Sequence, residues 1–588
     1  MLRASNKLKS LHCPALRPYA TLSASEYPPV PRYLRRQAKF KQEPAAKVYR
    51  SRHYDPKTEQ NKDKSTLKML DPFTLSSRLK KLCDANQIDS AVQMLKNSPG
   101  GAQNTQVWNT LIWESLKAKR FSLSYQLYTD MKRRGFSPSV RTFQTMFTGL
   151  SKIENWSAHT KQLANARSLY DSFQRHMNSV KKHDPTELSA RPLVGYIKIL
   201  GDNKLYQEIF DVYHALPSEG PGSAEELVYT AMFHALASTP TGISATHIHH
   251  QNAADAKSLW NMMKKALKQS SSFTVDAHLV AAAVAALSRG KAPEVNLAFA
   301  IVSEYFGLSA QGDSTFQGIL PLSAQALGAI FKLCNASGKH ALCLTFFQQV
   351  KRQSAEQGGE EILDHGHLNE VLKAILALPG PDTALNCLAT IEWMLKNEIL
   401  GKNGFKLRPN LVSYNLAMSA CWRDADWRRA TRVFDLMTGY HSHDFMDGSV
   451  SSEPRRDARS RGRNLDPPAE TLYSLVQTAV ASRSRANVRQ SLRIIDYLKV
   501  KGLFLVDDAE VAKGKVNFYF TNKLASAIVD AVKYASETES KTPSAHQEMI
   551  RWKQIADAAA KYEKRMASEE SDFIPTVTKH QPQREETN

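Results

Sequence analysis

Basic residues are the first feature of this sequence that could do chemistry. Lysine and arginine side chains can contact the phosphates of a nucleic acid, and binding that depends on such contacts weakens steeply with salt. The same residues can also be plain solvated charges, or part of a disordered loop that aids solubility. The candidates for phosphate contact are Lys117, Arg120, Arg133, Arg455 and Arg456, of which the last two could belong to a flexible clamp. A net charge of +21 in 588 residues would attract a polyanion.

Catalytic and metal-binding patterns are missing from the sequence. Histidines group in three segments that are predicted to be loops, without cysteine partners or helical i, i+4 spacing. These groups are His247, His249 and His250; His441 and His443; and Asp364, His365 and His367. The six cysteines form no Cys-x-x-Cys pair and are expected to be reduced, apolar residues. We therefore expect a binding protein with no catalytic residues, no cofactor, no metal and no small-molecule substrate.

The segment from Gln106 to Val140 predicts two amphipathic helices joined by a turn. The pattern of an aromatic residue, a polar residue and an apolar run then restarts at Arg141, in phase with Val107. A two-helix unit that repeats at this length buries its apolar face only against its neighbours. The sequence thus predicts an all-α protein built as an α-solenoid superhelix of stacked helix-turn-helix repeats. No apolar run reaches the roughly 18 residues that a membrane-spanning helix needs.

This segment resembles the pentatricopeptide repeat. The aromatic-Asn-Thr-Leu-Ile opening of that family matches Trp108 to Ile112, and its turn matches Lys117 to Arg120. Met131-Lys132, Gly135 and Pro138 match its later markers, and Tyr414-Asn415 begins a second good match. The tetratricopeptide repeat has a similar length, but its Trp-x-x-Leu-Gly-x-x-Tyr opening is absent. The resemblance implies an RNA ligand, held by polar residues of the first helices.

In that family, each repeat offers a polar residue on its first helix and another just before the next repeat, and the two read one base. Such reading requires single, unstacked bases whose pairing edges are exposed. Carried over, the first pair is Asn109 with Ser139, while Asn415 would pair with Ala469, which has no side-chain hydrogen bond to offer. The alternative is that the two asparagines face solvent or cap backbone groups. The implied base-reading positions are Asn109, Ser139, Gln144, Thr230, Asn415 and Ser474.

The chain divides into five predicted regions. Residues 71–510 form the solenoid, with insertions at 238–252 and 438–467, and residues 511–567 form helices that cap its end. Residues 20–70 are predicted to be a disordered basic linker, and residues 568–588 a disordered tail.

The first nineteen residues resemble a mitochondrial transit peptide. Residues 1–50 contain only two acidic residues, Glu26 and Glu43, and residues 1–25 contain none. Arg17 lies two residues before a cleavage site predicted between Tyr19 and Ala20. The alternative is a disordered basic arm that binds RNA directly. The leader predicts a protein of the mitochondrial matrix.

Two functions follow from these features. The first is an RNA-binding protein that holds single-stranded mitochondrial RNA, either mRNA or rRNA, during processing, stabilisation, splicing or translation, without catalysis of its own. The second is a structural or assembly component of the mitochondrial small ribosomal subunit that binds rRNA. Two well-placed asparagines favour the first function, whereas degenerate repeats and long insertions favour the second.

Overall fold

The computed structural model describes residues 71–183, 188–238, 245–269, 274–310, 318–400, 404–449, 453–504, 518–536 and 543–572. The predicted transit peptide and linker lie outside these ranges. The described residues contain 22 α-helices and no β-strand beyond one isolated bridge between Tyr440 and Arg456. The prediction of an all-α protein is confirmed. The chain divides into two units, residues 1–199 and 200–588.

The first unit contains three pairs of helices and the start of α7. The helices are α1 (Pro72–Asp84), α2 (Ile88–Asn97), α3 (Thr105–Lys117), α4 (Phe121–Arg133), α5 (Val140–Leu150), α6 (Thr160–His183) and α7 (Pro192–Asp202). Within this unit α1 packs on α3, and α3 packs on α5. The first helix of each pair therefore stacks on the first helix of the next pair, as a solenoid requires.

The second unit continues from the end of α7. Its helices are α8 (Tyr206–His214), α9 (Glu226–Ala237), α10 (Ala245–Gln269), α11 (Ala277–Leu287), α12 (Ala292–Phe306), α13 (Ala324–Ala336), α14 (His340–Arg352), α15 (His365–Ala377), α16 (Thr383–Leu400), α17 (Leu411–Arg423), α18 (Trp427–Thr438), α19 (Ala469–Ala481), α20 (Arg485–Tyr497), α21 (Phe518–Ser536) and α22 (Pro543–Asp572). The odd-numbered helices from α9 to α21 pack each on the next. The solenoid stacking thus recurs in this unit.

Side-chain caps and tight turns set the ends of these helices. Asn104, Ser139 and Asn410 each accept a hydrogen bond from the backbone three residues on, which fixes where α3, α5 and α17 begin. The turns after α3 and α17 each contain one residue with positive φ, Lys119 at 58° and Ala425 at 52°. That left-handed residue reverses the chain within a few residues, so the second helix of each pair folds back on the first.

Two stretches predicted to be loops are helical. Helix α10 begins at Ala245, so His247, His249 and His250 lie on that helix rather than in the insertion 238–252. Asp364 caps α15 and His365 begins it, so this second histidine group also lies on a helix.

The terminal helices α21 and α22 pack on α19 and α20. Their shared core includes Leu492, Ile528 and Trp552, all nearly inaccessible to solvent. Helix α22 ends at Asp572, a few residues beyond the predicted start of the tail at 568, and residues 573–588 lie outside the described residues. No helix in the described ranges is both long and apolar enough to cross a membrane.

Candidate nucleic-acid interface

The register of each first helix is fixed by a large side chain four residues after the N-cap. Trp108, Phe143 and Tyr414 occupy this position and are at most 2% exposed. Burying each ring removes a large apolar area from water, so the helix cannot rotate. The next residue, the fifth after the N-cap, is therefore held at the junction with the following first helix. We refer to it as the fifth position.

Between α3 and α5 this junction is an open cleft of about 580 Å³. Asn109, at the fifth position of α3, lies in its wall, and Gln144, at the fifth position of α5, is an exposed residue of the same cleft. The other lining residues are Gln106, Thr110, Trp113, Arg141, Thr145 and Thr148. Two of the implied base-reading positions are thus brought together in one cleft lined mainly by hydrogen-bonding groups.

Asn109 is only 8% exposed, and its Oδ1 has no hydrogen-bond partner among the described residues. A buried acceptor without a partner costs about 1–3 kcal/mol, and such groups are rare in folded proteins. A ligand that supplies an N–H or O–H donor in the cleft would recover that free energy. The arrangement therefore suits recognition of a polar ligand edge.

Positive charge reaches this cleft from residues that the sequence analysis did not single out. Arg141 lines it, and the Lys152 ammonium lies 4.7 Å from the centre of the Trp113 ring. Neither basic side chain forms an ion pair with another residue of the described range 71–183. The spacing from Gln144 could have identified Arg141, because Arg141 lies three residues before Gln144, on the same face of α5.

Ser139 has a structural role. Its hydroxyl caps α5 by accepting a hydrogen bond from the backbone N–H of Thr142, while the Thr142 hydroxyl accepts from the backbone N–H of Ser139. This reciprocal pair is a capping box, which satisfies two backbone donors at the helix start. The predicted partner of Asn109 is thus used to begin the next helix.

Thr230 occupies the fifth position of α9, after Glu225. Its hydroxyl donates to the backbone carbonyl of Glu226 at 2.8 Å, one turn earlier in the same helix. That bond uses the only donor of the side chain. Thr230 is placed where the sequence predicted, but it offers a ligand only acceptor capacity.

The junction between α17 and α19 is closed by the protein itself. The Asn415 amide donates to the Glu470 carboxylate at 2.5 Å and accepts from the Thr471 hydroxyl. Asn369, at the fifth position of α15, is held in the same way, since it accepts from the Ser413 hydroxyl at 2.6 Å. Asn369 was missed because the resemblance is weak there, with Leu368 in place of an aromatic residue. Both asparagines connect consecutive repeats.

Ser474 does not occupy the fifth position of α19. Helix α19 begins after Pro468, so the buried fourth residue is Leu472 and the fifth is Tyr473. Ser474 is 4% exposed and lies in the core. The sequence match took Tyr473-Ser474 for the aromatic-polar pair, but burial of Leu472 set the register one residue earlier.

All five candidates for phosphate contact form ion pairs within the protein. Lys117 pairs with Glu114 at 3.0 Å, Arg120 with Asp89 at 2.8 Å, and Arg133 with Asp130 at 3.7 Å; Arg455 pairs with Asp444 at 3.0 Å, and Arg456 with Asp466 at 3.2 Å. Exposed pairs of this kind are screened and contribute little stability. The acidic partners nevertheless offset the positive charge that would otherwise attract a phosphate.

The arginine-rich insertion is tied to the helices around it. Hydrogen bonding by the Arg455 guanidinium lowers the pKa of the Asp444 carboxyl to about 2. Arg463 pairs at 3.1 Å with Glu398 of α16, whose side chain is almost fully buried. Arg456 also lies 4.8 Å from the centre of the Tyr440 ring. In its described residues, the insertion is an ordered structural element rather than the flexible clamp that the sequence allowed.

The cysteines are held as neutral thiols. Burial raises the pKa of Cys83 to about 11 and the pKa values of Cys334 and Cys387 to about 12. All five cysteines in the described ranges are free. No group of three or more His, Cys, Asp or Glu residues in those ranges is placed to hold a metal ion.

Two segments of the chain match models of a known repeat. Residues 103–152, which include the α3–α5 cleft, match the PPR repeat family, and residues 412–441 match the PPR repeat. No curated protein sequence matches the chain.

Solved structures similar to this chain include the pentatricopeptide repeat protein PPR10 from maize. The alignment has 14% identity and a TM-score of 0.34, and it covers 85% of this chain and 73% of the other. PPR10 in complex with an 18-nt psaJ RNA element aligns with 13% identity and a TM-score of 0.28, over 85% and 74% of the two chains. The assignment to a repeat family rests on the two matched segments.

Proposed function

This chain carries pentatricopeptide repeats, and from that premise we propose that it binds single-stranded RNA in mitochondrial gene expression, without catalysing a reaction. The proposed binding site is the cleft between α3 and α5. The observation that carries the proposal is that Asn109, whose buried Oδ1 has no partner among the described residues, lines the cleft together with Arg141. An unpaired base supplies the missing donor, and the adjoining phosphate supplies a charge for Arg141.

The residues around the cleft favour the binding of an unpaired strand rather than a duplex. A cleft of about 580 Å³ can admit a single base. Trp113 offers a ring for stacking, and Lys152 lies over that ring. The residues that line the cleft thus offer stacking, hydrogen bonding and charge, which together are typical of single-strand recognition.

The proposed location is the mitochondrial matrix. It is supported by the basic composition of residues 1–50, in which Glu26 and Glu43 are the only acidic residues. Expression of the full chain and of a variant that lacks residues 1–19, each with a C-terminal fluorescent tag, tests this part. Loss of mitochondrial import in the shortened chain is the expected result.

RNA binding is tested with the purified full chain and short unstructured oligoribonucleotides. We expect micromolar or tighter binding of single-stranded RNA and at least tenfold weaker binding of duplex RNA of the same length. Crosslinking in cells, followed by sequencing, should recover discrete mitochondrial transcripts. Equal affinity for duplex and single strands would contradict the cleft as the binding site.

A role in the mitochondrial small ribosomal subunit is the second candidate. It is favoured by the closed junctions at Asn369 and Asn415 and by the ordered insertion, since amides that are held by neighbouring repeats suit binding by shape more than base reading. Sedimentation of tagged protein in organelle lysate distinguishes the two roles. Stoichiometric migration with small subunits supports the ribosomal role, and light fractions that carry a discrete RNA support the free RNA-binding protein.

A further inference from the structure

Four aromatic residues form a continuous strip across three consecutive first helices in the second unit. Trp422 of α17 lies 5.4 Å from Tyr473 of α19, and Tyr473 lies 6.5 Å from Phe520 of α21, measured between ring centres. Tyr519 extends the strip, with its ring 5.1 Å from that of Phe520. We call these four residues the aromatic strip.

The strip is accessible to solvent. Tyr519 is 61% exposed and Trp422 is 38% exposed, while Tyr473 and Phe520 are half-buried. Large aromatic side chains are normally buried because each removes much apolar area from water. Four adjoining rings that remain accessible are therefore suited to contact a ligand, and their order along α17, α19 and α21 follows the stacking of the repeats.

A cation lies over the strip. The Lys523 ammonium is 4.4 Å from the centre of the Tyr519 ring and 5.8 Å from that of Tyr473. The hydrogen bond to Tyr519 raises the pKa of Lys523, so the positive charge is retained at physiological pH. Exposed rings combined with a fixed cation match both parts of a nucleotide, because bases stack on rings and phosphates pair with ammonium groups.

Tyr473 also places the strip within the pattern of the repeats. It holds the fifth position of α19, the position that carries Asn109 in α3 and Asn415 in α17. A tyrosine ring there presents a face for stacking where the other repeats present an amide.

We propose that the aromatic strip binds unpaired nucleobases of RNA by stacking, with Lys523 contacting the phosphate between them. This inference rests on the proposed RNA-binding function and adds a second, sequence-tolerant site to it. Every base has a π face, so this site does not discriminate among bases.

The test compares removal of the rings with their conservative replacement, in the full chain. The ring-removal variant carries Trp422→Leu and Tyr519→Leu, which keep apolar side chains. The matched variant carries Trp422→Phe and Tyr519→Phe, which keep the rings. Phe405→Leu, a change at an aromatic residue that is 76% exposed and lies outside the strip, is the surface control. Unfolding midpoints by circular dichroism establish that each variant is folded.

Affinity for oligouridine and oligoadenosine of about 18 nucleotides is then measured, together with photocrosslinking of 4-thiouridine-labelled strands. We expect the leucine pair to bind both strands about tenfold more weakly. The phenylalanine pair and Phe405→Leu should bind as the unaltered chain does. Crosslinks in the unaltered chain should include the peptides that contain Trp422 or Tyr519.

Each of the following results would overturn the inference. Unchanged affinity in the leucine pair, with no crosslinks to these peptides, shows that the strip does not bind RNA; loss of a co-purifying protein in that variant would assign the strip to a protein partner. Equal weakening in the phenylalanine pair, which keeps the rings but removes the Tyr519 hydroxyl bonded to Lys523, shows that the rings alone do not hold the strand. Failure of the unaltered chain to bind any single strand overturns the RNA-binding function as well. If only Arg141→Glu weakens binding, the function stands and the strip alone fails.

Discussion

The α3–α5 cleft and the α17–α19 junction carry an asparagine at the same position and use it differently. In the first, Asn109 has a buried acceptor without a partner and lines the same cleft as Arg141. In the second, the amide of Asn415 is held by Glu470 and Thr471. Arg141 and Glu470 occupy the same position, two residues after the N-cap of the following first helix. One residue of the next repeat thus decides whether the asparagine is available.

The hydroxyl residues directly after Arg141 and Glu470 also differ in their hydrogen bonds. Thr142 and Thr471 both lie three residues after an N-cap. Thr142 bonds with Ser139 in a capping box, whereas Pro468 has no side-chain hydrogen bond to offer and Thr471 bonds with Asn415. The Thr142 hydroxyl thus bonds within the start of its own helix, whereas the Thr471 hydroxyl bonds to the neighbouring repeat.

The largest effect is expected from Arg141→Glu, which gives the open cleft the acid of the closed junction. The variant loses a phosphate contact and places a carboxylate near Asn109, so RNA affinity should fall about thirtyfold, and the slope of log affinity against log salt should decrease by about 0.7. Titrations at several salt concentrations measure both. Lys161→Glu, which makes the same charge change on exposed α6, is the control and should have a much smaller effect.

Asn415→Ala should affect stability rather than binding. The substitution removes hydrogen bonds to Glu470 and Thr471, so the free energy of unfolding should decrease by about 1–2 kcal/mol while RNA affinity is unchanged. Urea unfolding of Asn415→Ala, Thr471→Val and the double variant gives the coupling between the two residues, expected near 1 kcal/mol. Zero coupling would show that the junction is not held by this pair.

Asn109→Ala should affect binding rather than stability. Because Oδ1 has no partner within the described structure, its removal costs no protein hydrogen bond there, and the unfolding midpoint should stay close to that of the unaltered chain. Loss of one hydrogen bond to a base should weaken RNA binding about fivefold, or roughly 1 kcal/mol. RNA titration measures the change in affinity, and urea unfolding measures the change in stability. A destabilised variant with unaltered affinity would make Asn109 a structural residue like Asn415.

The smallest effect is expected from Glu470→Arg, the reciprocal exchange. It removes the carboxylate that holds Asn415 and adds a positive charge, but Thr471 still donates to the amide. RNA affinity should therefore rise by only about twofold, and more when Thr471→Val is combined with it. Filter binding with Glu470→Arg, and with Glu470→Arg combined with Thr471→Val, measures these changes in affinity. A decrease in affinity would show that this junction does not face the strand.

The helical pairs could be predicted because their signals are local. The apolar periodicity and capping residues lie within single helices, and the turns at Lys119 and Ala425 need only a few residues to reverse the chain. The early start of α10 was missed because a contact there comes from Arg289, forty residues further along the chain, which bonds with His249.

The site could be predicted only in part. The resemblance selected Asn109 and Gln144, which line one cleft, but it paired Asn109 with Ser139, which caps a helix. Arg141 and Lys152 were not selected, while the five basic candidates form internal ion pairs. A basic residue in a sequence carries no sign of its partner, since the matching acid can lie tens of residues away, as Asp89 does from Arg120.

The amino-acid sequence determined the helix boundaries set by caps, the alternation of first and second helices, and the asparagines at the fifth position. Tertiary structure alone decided which asparagine is open to a ligand, that α19 begins one residue early to bury Leu472, and which charges are neutralised. Periodicity and capping act over one or two turns of helix. Hydrogen bonds between neighbouring repeats depend instead on which side chains meet, and this is fixed only when the stack forms.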